Sequence, residues 1–210
     1  MRQRLWMVMG ATFALMMVAC GTPGKSLPMG ASTQLIPAPA KLVSEPVRVA
    51  VVTFEDVRAD KTAIGRWQHY VESQVDRMVP LEGTAAEQIS GFVANYLRLA
   101  GFQVTKVPSR EQVSSGSADV VLTGRVETYW NEAVAKLGRT ELISKNRLVI
   151  TLVNLADNST VSSTLTGEQT STVVTFDLGD LEKLNSNALA QSMARFLGDL
   201  RVSERSLKTN

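Results

Sequence analysis

The chain has 210 residues, 44% of them hydrophobic, with 22 Lys and Arg against 20 Asp and Glu. Arg2 and Arg4 fall in an N-terminal leader, so the remainder is formally neutral and carries no basic footprint for nucleic acid. One cysteine, Cys20, and one histidine, His69, exclude a disulfide framework, soft metal sites and Cys/His nucleophile pairs.

After Arg2 and Arg4 comes an uncharged, mostly apolar run from Leu5 to Ala19. It has the length of a signal-peptide core and is shorter than the roughly 20 residues of a bilayer span. The run ends Met17-Val18-Ala19-Cys20. This resembles the lipobox of bacterial lipoproteins, with Met17 in place of the more usual leucine. The resemblance implies a diacylglycerol thioether on Cys20, cleavage before it, and an acyl chain such as palmitate on the new amine. Several acyl chains anchor more firmly than one, so a membrane is the first expected partner. Gly21 rather than aspartate follows Cys20, which by resemblance to enterobacterial sorting implies the outer membrane, with the domain facing the periplasm.

Ala19 to Ser26 reads ACGTPGKS and fits a P-loop pattern. A P-loop needs a strand before it and a helix after it. Here a leader precedes it and a proline-bearing stretch follows, so no nucleotide is expected. Residues 20–46 carry Cys20 and five of the seven prolines and read as a flexible tether. Residues 47–203 form a single globular domain, and 204–210 a frayed tail.

Val47 to Phe54, VRVAVVTF, is a buried first strand. Residues 55–83 show no clean period and read as a loop, with Asp56, Arg58 and Asp60 crowded after the strand and Trp67 and Tyr70 beyond. Thr84 and Glu87 make a capping box for a helix over 85–100, with apolar residues at Ile89, Phe92, Val93, Tyr96 and Leu97. Gly101 ends it. Phe102 to Val107 is a second strand and 109–113 a short helical turn. Asp119 to Trp130, Leu148 to Leu155 and Thr160 to Phe176 are three further strands, arranged as an antiparallel meander with one solvated face. Asn185 or Ser186 caps a final helix with Leu189, Met193, Phe196, Leu197 and Leu200 on one face. The expected class is α+β: a mixed, mainly antiparallel sheet of about five strands with two main helices packed on it.

His69 has no G-x-S-x-G partner motif, and Asp56 and Asp60 sit among Arg58 and Lys61, which oppose a cation. No catalytic residue, metal or cofactor is expected, and the chain is not read as an enzyme. The order of elements resembles the YajG-type envelope lipoproteins and the wider group containing the TolB N-terminal domain and the curli-secretion lipoprotein CsgG. The residues that carry it are the lipobox at Cys20, VRVAVVTF, the Glu55–Gly65 run and the helix end LRLAGFQV at Val104. The resemblance implies an accessory or assembly factor that binds another envelope protein. Asp56, Arg58, Asp60, Trp67, Tyr70 and Trp130 are the candidate contact residues, since large aromatics dominate interfaces. The alternative is a subunit of an oligomeric, CsgG-like secretion channel, for which Thr123 to Thr151 is the candidate amphipathic hairpin. Lys136, Arg139, Lys145 and Arg147 weigh against a lipid-facing role for that hairpin.

Overall fold

A computed structural model describes residues 24–39, 43, 47–71, 75–114, 116–203 and 205–209. The signal and lipidation readings at residues 1–20 lie outside the described residues. The elements in chain order are β1 (Ser26–Met29), β2 (Arg48–Val52), β3 (Glu55–Asp56), β4 (Gly65–Gln68), β5 (Val75–Pro80), α1 (Ala85–Leu99), β6 (Gln103–Val107), β7 (Val120–Lys136), β8 (Arg139–Asn154), β9 (Thr160–Val173), α2 (Leu178–Gly198), β10 (Leu200–Ser203) and β11 (Ser206–Thr209).

Nine strands form one sheet, not five, and it is mixed rather than mainly antiparallel. β7 is its spine. It pairs in parallel with β2, β3 and β4 along one edge and antiparallel with β8 along the other. β8 then pairs with β9, β4 with β5, and β5 with β1. The expected class of α+β with two main helices stands; the short parallel strands from residues 26–29 and 55–80 account for the larger count. Ser26–Met29, within the expected flexible tether, instead extends the sheet. The tail also differs, because β10 and β11 pair as a hairpin. Asn154 fastens that hairpin, accepting from the Leu207 amide at 2.8 Å and donating to its carbonyl at 2.9 Å.

α1 begins at its capping box, with Thr84 and Glu87 bonded reciprocally. α2 begins at Asp177, whose carboxylate accepts from the Gly179 amide, well before the expected cap at Asn185 or Ser186. Both helices lie on one face of the sheet and share a single core with Leu122, Val126, Tyr129, Leu148 and Ile150.

A register shift between Val126 and Thr128 makes Glu127 a bulge. Because side chains alternate with period two, one extra residue switches the parity of the buried face. Leu122 and Val126 point at the helices before the bulge, and Tyr129, Asn131 and Ala133 do so after it. Gly167 on β9 lies beneath α2, where a Cβ would stand 2.1 Å from the Ala188 carbonyl oxygen. Its lack of a side chain lets the helix backbone close onto the sheet.

Candidate partner-binding surfaces

Of the crowded charges after the first strand, Asp56 and Arg58 bond each other, whereas Asp60 bonds Thr62, Ala63 and Arg77. Arg58 is buried and forks onto Asp56, with Nε at 2.9 Å from one oxygen and Nη2 at 2.8 Å from the other. Its Nη1 donates to the Ala63 carbonyl at 2.8 Å and the Tyr129 carbonyl at 3.3 Å, which fastens the loop to β7. Burial pushes the Asp56 carboxyl up, but the hydrogen bonds and charge of Arg58 outweigh it and hold the group below its ordinary value. Asp60 Oδ1 accepts from the Thr62 hydroxyl and amide and from the Ala63 amide, and these bonds bring its pKa down to about 2. Arg77 donates to its other oxygen at 3.0 Å. The loop is thus built by its own ions.

The aromatics separate to two faces. Trp67 pairs with Ala133 across β4 and β7 and points to the helix side, with ring centroids 4.5 Å from Phe176 and 4.0 Å from His69. Its Nε1 is buried with no partner among the described residues. His69 Nε2 lies 3.0 Å from Asp76 Oδ2. Tyr70 is exposed at the end of β4. Trp130 stands on the opposite, helix-free face, half-buried, and is paired across strands with Lys145. The six candidates therefore do not converge: Asp56 with Arg58 forms one unit, Asp60 another, Trp67 lies on the opposite face of the sheet from Trp130, and Tyr70 is exposed beyond the end of β4.

The helix-free face of β7, β8 and β9 is wide and charged. Glu127 bonds Arg147 at 2.8 Å, Lys145 meets Glu168 at 2.9 Å, and Arg66 pairs with Glu132 beside Trp130. These exposed pairs contribute little to stability each and leave an aromatic ringed by both signs of charge. On the helix side, a groove of about 460 Å³ runs between the end of β1 and α1, lined by Gly30, Leu81, Gln88, Phe92 and Lys106.

Beneath that groove lies a buried polar chain that the sequence reading missed. The Tyr129 hydroxyl accepts from Gln88 Nε2 and Asn185 Nδ2, each at 2.7 Å. Asn185 also donates to the Gly30 carbonyl, and Ser144 donates to Asn131 Oδ1 at 2.8 Å. Burial pushes the Tyr129 hydroxyl up to about 12. A neutral hydroxyl held by two amide donors offers neither nucleophile nor base; it ties α1, α2 and β7 together. Among the described residues no three His, Cys, Asp or Glu side chains gather to hold a metal, and no helix is long and apolar enough to cross a membrane. Lys25 and Ser26 of the P-loop-like stretch lead into β1 rather than a helix.

No family model and no curated protein matches the chain. Among solved structures, it is similar to protein XCC0632 of Xanthomonas campestris, described as family DUF330, with a TM-score of 0.51 and 13% identity over 83% of this chain and 93% of that one. The likeness is one of fold. Lower TM-scores relate it to the PelC dodecamer of Paraburkholderia phytofirmans (0.43, 20% identity, 71% of this chain, 89% of that one) and to lipoprotein GNA1162 of Neisseria meningitidis (0.36, 16% identity, 70% and 97%). These weaker matches add no argument.

Proposed function

We propose that the chain is a lipid-anchored accessory protein of the bacterial cell envelope, of the kind the YajG-type resemblance implies. It is held at the outer membrane through Cys20, faces the periplasm and acts by binding another envelope protein rather than by catalysis. The observation that carries this reading is the lipobox pattern ending at Cys20, followed by a folded α+β domain whose first described strand is β1 at Ser26–Met29. The helix-free sheet face around Trp130 is the surface best suited to a protein partner, since an amphipathic aromatic among mixed charges supplies both contact area and orientation.

The test is in-cell crosslinking and membrane fractionation of tagged wild type beside Cys20→Ala. The expected outcome is wild type in the outer-membrane fraction with a defined crosslinked partner, and Cys20→Ala released from the membrane without it. A soluble wild type sinks the reading.

One observation favours the second reading, an oligomeric channel subunit. β9 pairs only with β8 among the described residues, which leaves a 14-residue edge on which another copy could add. The β7–β8 hairpin itself is not spare material for a lipid-facing barrel, because Leu142, Leu148, Ile150 and Leu152 lie in the core. Size in detergent decides between the two: a monomer excludes the channel.

A further inference from the structure

The three most exposed large apolar side chains of the described residues are Val71 (87%), Val174 (83%) and Leu137 (80%), and Tyr70 is 58% exposed. They are far apart in sequence, yet the registers bring them to one end of the sheet. Gln68, the last residue of β4, pairs with Val134, and Tyr70 and Val71 follow it. Lys136 pairs with Arg139, so Leu137 is at the tip of the β7–β8 turn, where Gly138 takes a φ of +72°. Thr140 pairs with Val173, so Val174 leaves β9 alongside that tip. Trp67, His69 and Phe176 stack just inside the same end. At the opposite end β10 and β11 close the domain, and no cluster of comparable exposure occurs among the described residues.

The chain also enters the fold at this apolar end. Gly24 lies against the start of β5, where a Cβ would come within 1.8 Å of the Val75 carbonyl oxygen, and Val75 pairs with Gln68. The Lys25 amide donates to Asp76 at 2.7 Å, and β1 then runs parallel to β5, away from this end. Four residue steps separate Cys20 from Gly24, and an extended chain covers at most about 3.5 Å per step. If Cys20 is acylated, this end of the sheet is therefore held within roughly 14 Å of the Cys20 backbone, whose side chain carries the lipid. The residues that an aqueous surface disfavours most and the point nearest the bilayer coincide.

We propose that this end of the sheet is a membrane-contacting surface, in which Leu137, Val174, Val71 and Tyr70 enter the boundary between lipid headgroups and acyl chains. The proposal rests on the lipid-anchor reading of Cys20 and adds an orientation to it: the strands stand steeply on the membrane, and the β10–β11 hairpin points away. Lys136 and Arg139, both exposed beside Leu137 and paired with Glu141, have stems long enough to keep their charges at headgroup level. An interfacial apolar rim set beside cations is the arrangement peripheral membrane segments use.

The test places an environment-sensitive NBD label on full-length protein carrying Leu137→Cys, Val174→Cys or, at the opposite end, Leu155→Cys. Each is purified from membranes and reconstituted in phosphatidylethanolamine–phosphatidylglycerol vesicles with or without brominated acyl chains. The mass of the N-terminal peptide is recorded alongside. The expected result is an acylated Cys20, with bromolipid quenching at 137 and 174 at least about threefold that at 155, as insertion of one end demands. Acylated protein with equal quenching at all three positions overturns the proposal and leaves the anchor standing. Protein without acyl chains overturns both, because the short reach to the bilayer is then lost. A label at 137 that is shielded from aqueous iodide but unquenched by bromolipid means that protein covers this end, and also overturns the proposal.

Discussion

Tyr129 sits where both helices meet the sheet, and among the described residues its hydroxyl is the only acceptor for Gln88 Nε2 and one of two for Asn185 Nδ2. Tyr129→Phe removes that oxygen while keeping the ring, so buried donors lose their partner. The expected cost is about 2 kcal/mol in urea unfolding, in the range for an orphaned buried polar group. Asp119 is a second residue with a readable consequence. It accepts from Arg48 Nη2 at 2.7 Å and from the Arg48 amide at 2.8 Å, and these bonds hold its carboxyl below its ordinary value. A depressed carboxyl stabilises the fold above its unfolded pKa of about 3.9 and loses that contribution as pH falls through the folded value. Wild type should therefore melt higher than Asp119→Asn at neutral pH, and the gap should close on acidification below about pH 4, followed by circular dichroism.

At the scale of elements, the close approach of α2 to β9 depends on Gly167. Gly167→Ala puts a methyl into the Ala188 carbonyl and the Ser192 hydroxyl, so the helix must lift. The expected destabilisation is about 1–3 kcal/mol, the usual range for overpacking, measured by denaturant melts. α2 also shows why some elements were harder to read than others. Its buried stripe contains Asn185, Ser186 and Ser192, which serve the polar chain and the contact with Asn146, so the apolar period breaks and the first two turns read as loop. α1 keeps its apolar stripe with a single buried serine, Ser90, that bonds within the helix, and adds a capping box, so its bounds are legible to within a residue. The first half of β8 was hidden in the same way as α2. Its inward positions Thr140, Ser144 and Asn146 are polar, whereas Ile143 faces outward. The parity switch at Glu127 disguised the second half of β7. Residues 55–83 show no period in the sequence because β3, β4 and β5 are short and divided by ionic turns.

Over the whole molecule, the fold draws on residues ahead of Val47, since β1 joins the sheet. Pro28 and the surrounding small residues suggested a linker, but Pro is compatible with an edge strand, and β1 is one. Met29 is fully buried in the core, the Gly30 amide donates to Glu182 at 2.7 Å, and the Ser32 amide donates to Ser186. Deleting Gly24 to Ala31 should therefore do more than shorten a leash. The expected outcome is a lower urea midpoint and faster amide exchange in β5, since its outer edge and the Met29 site are then open. Of the candidate contact residues, Tyr70 is exposed and Trp130 half-buried, and which face each takes follows from strand register rather than residue type. The bonding of Asp56, Arg58 and Asp60 is not legible in the sequence, because it depends on Tyr129, Ala63 and Arg77 brought in by folding. The direction of β1 has a mechanical consequence. Tension on the N-terminus along the strand axis draws β1 lengthwise past β5, so the bonds from the Lys25 amide to Asp76, from Arg77 to the Lys25 carbonyl and from Leu81 to the Met29 carbonyl share the load at once. Strands pulled in shear yield at much higher force than strands peeled bond by bond, so the fold resists a pull on its N-terminal strand along that axis.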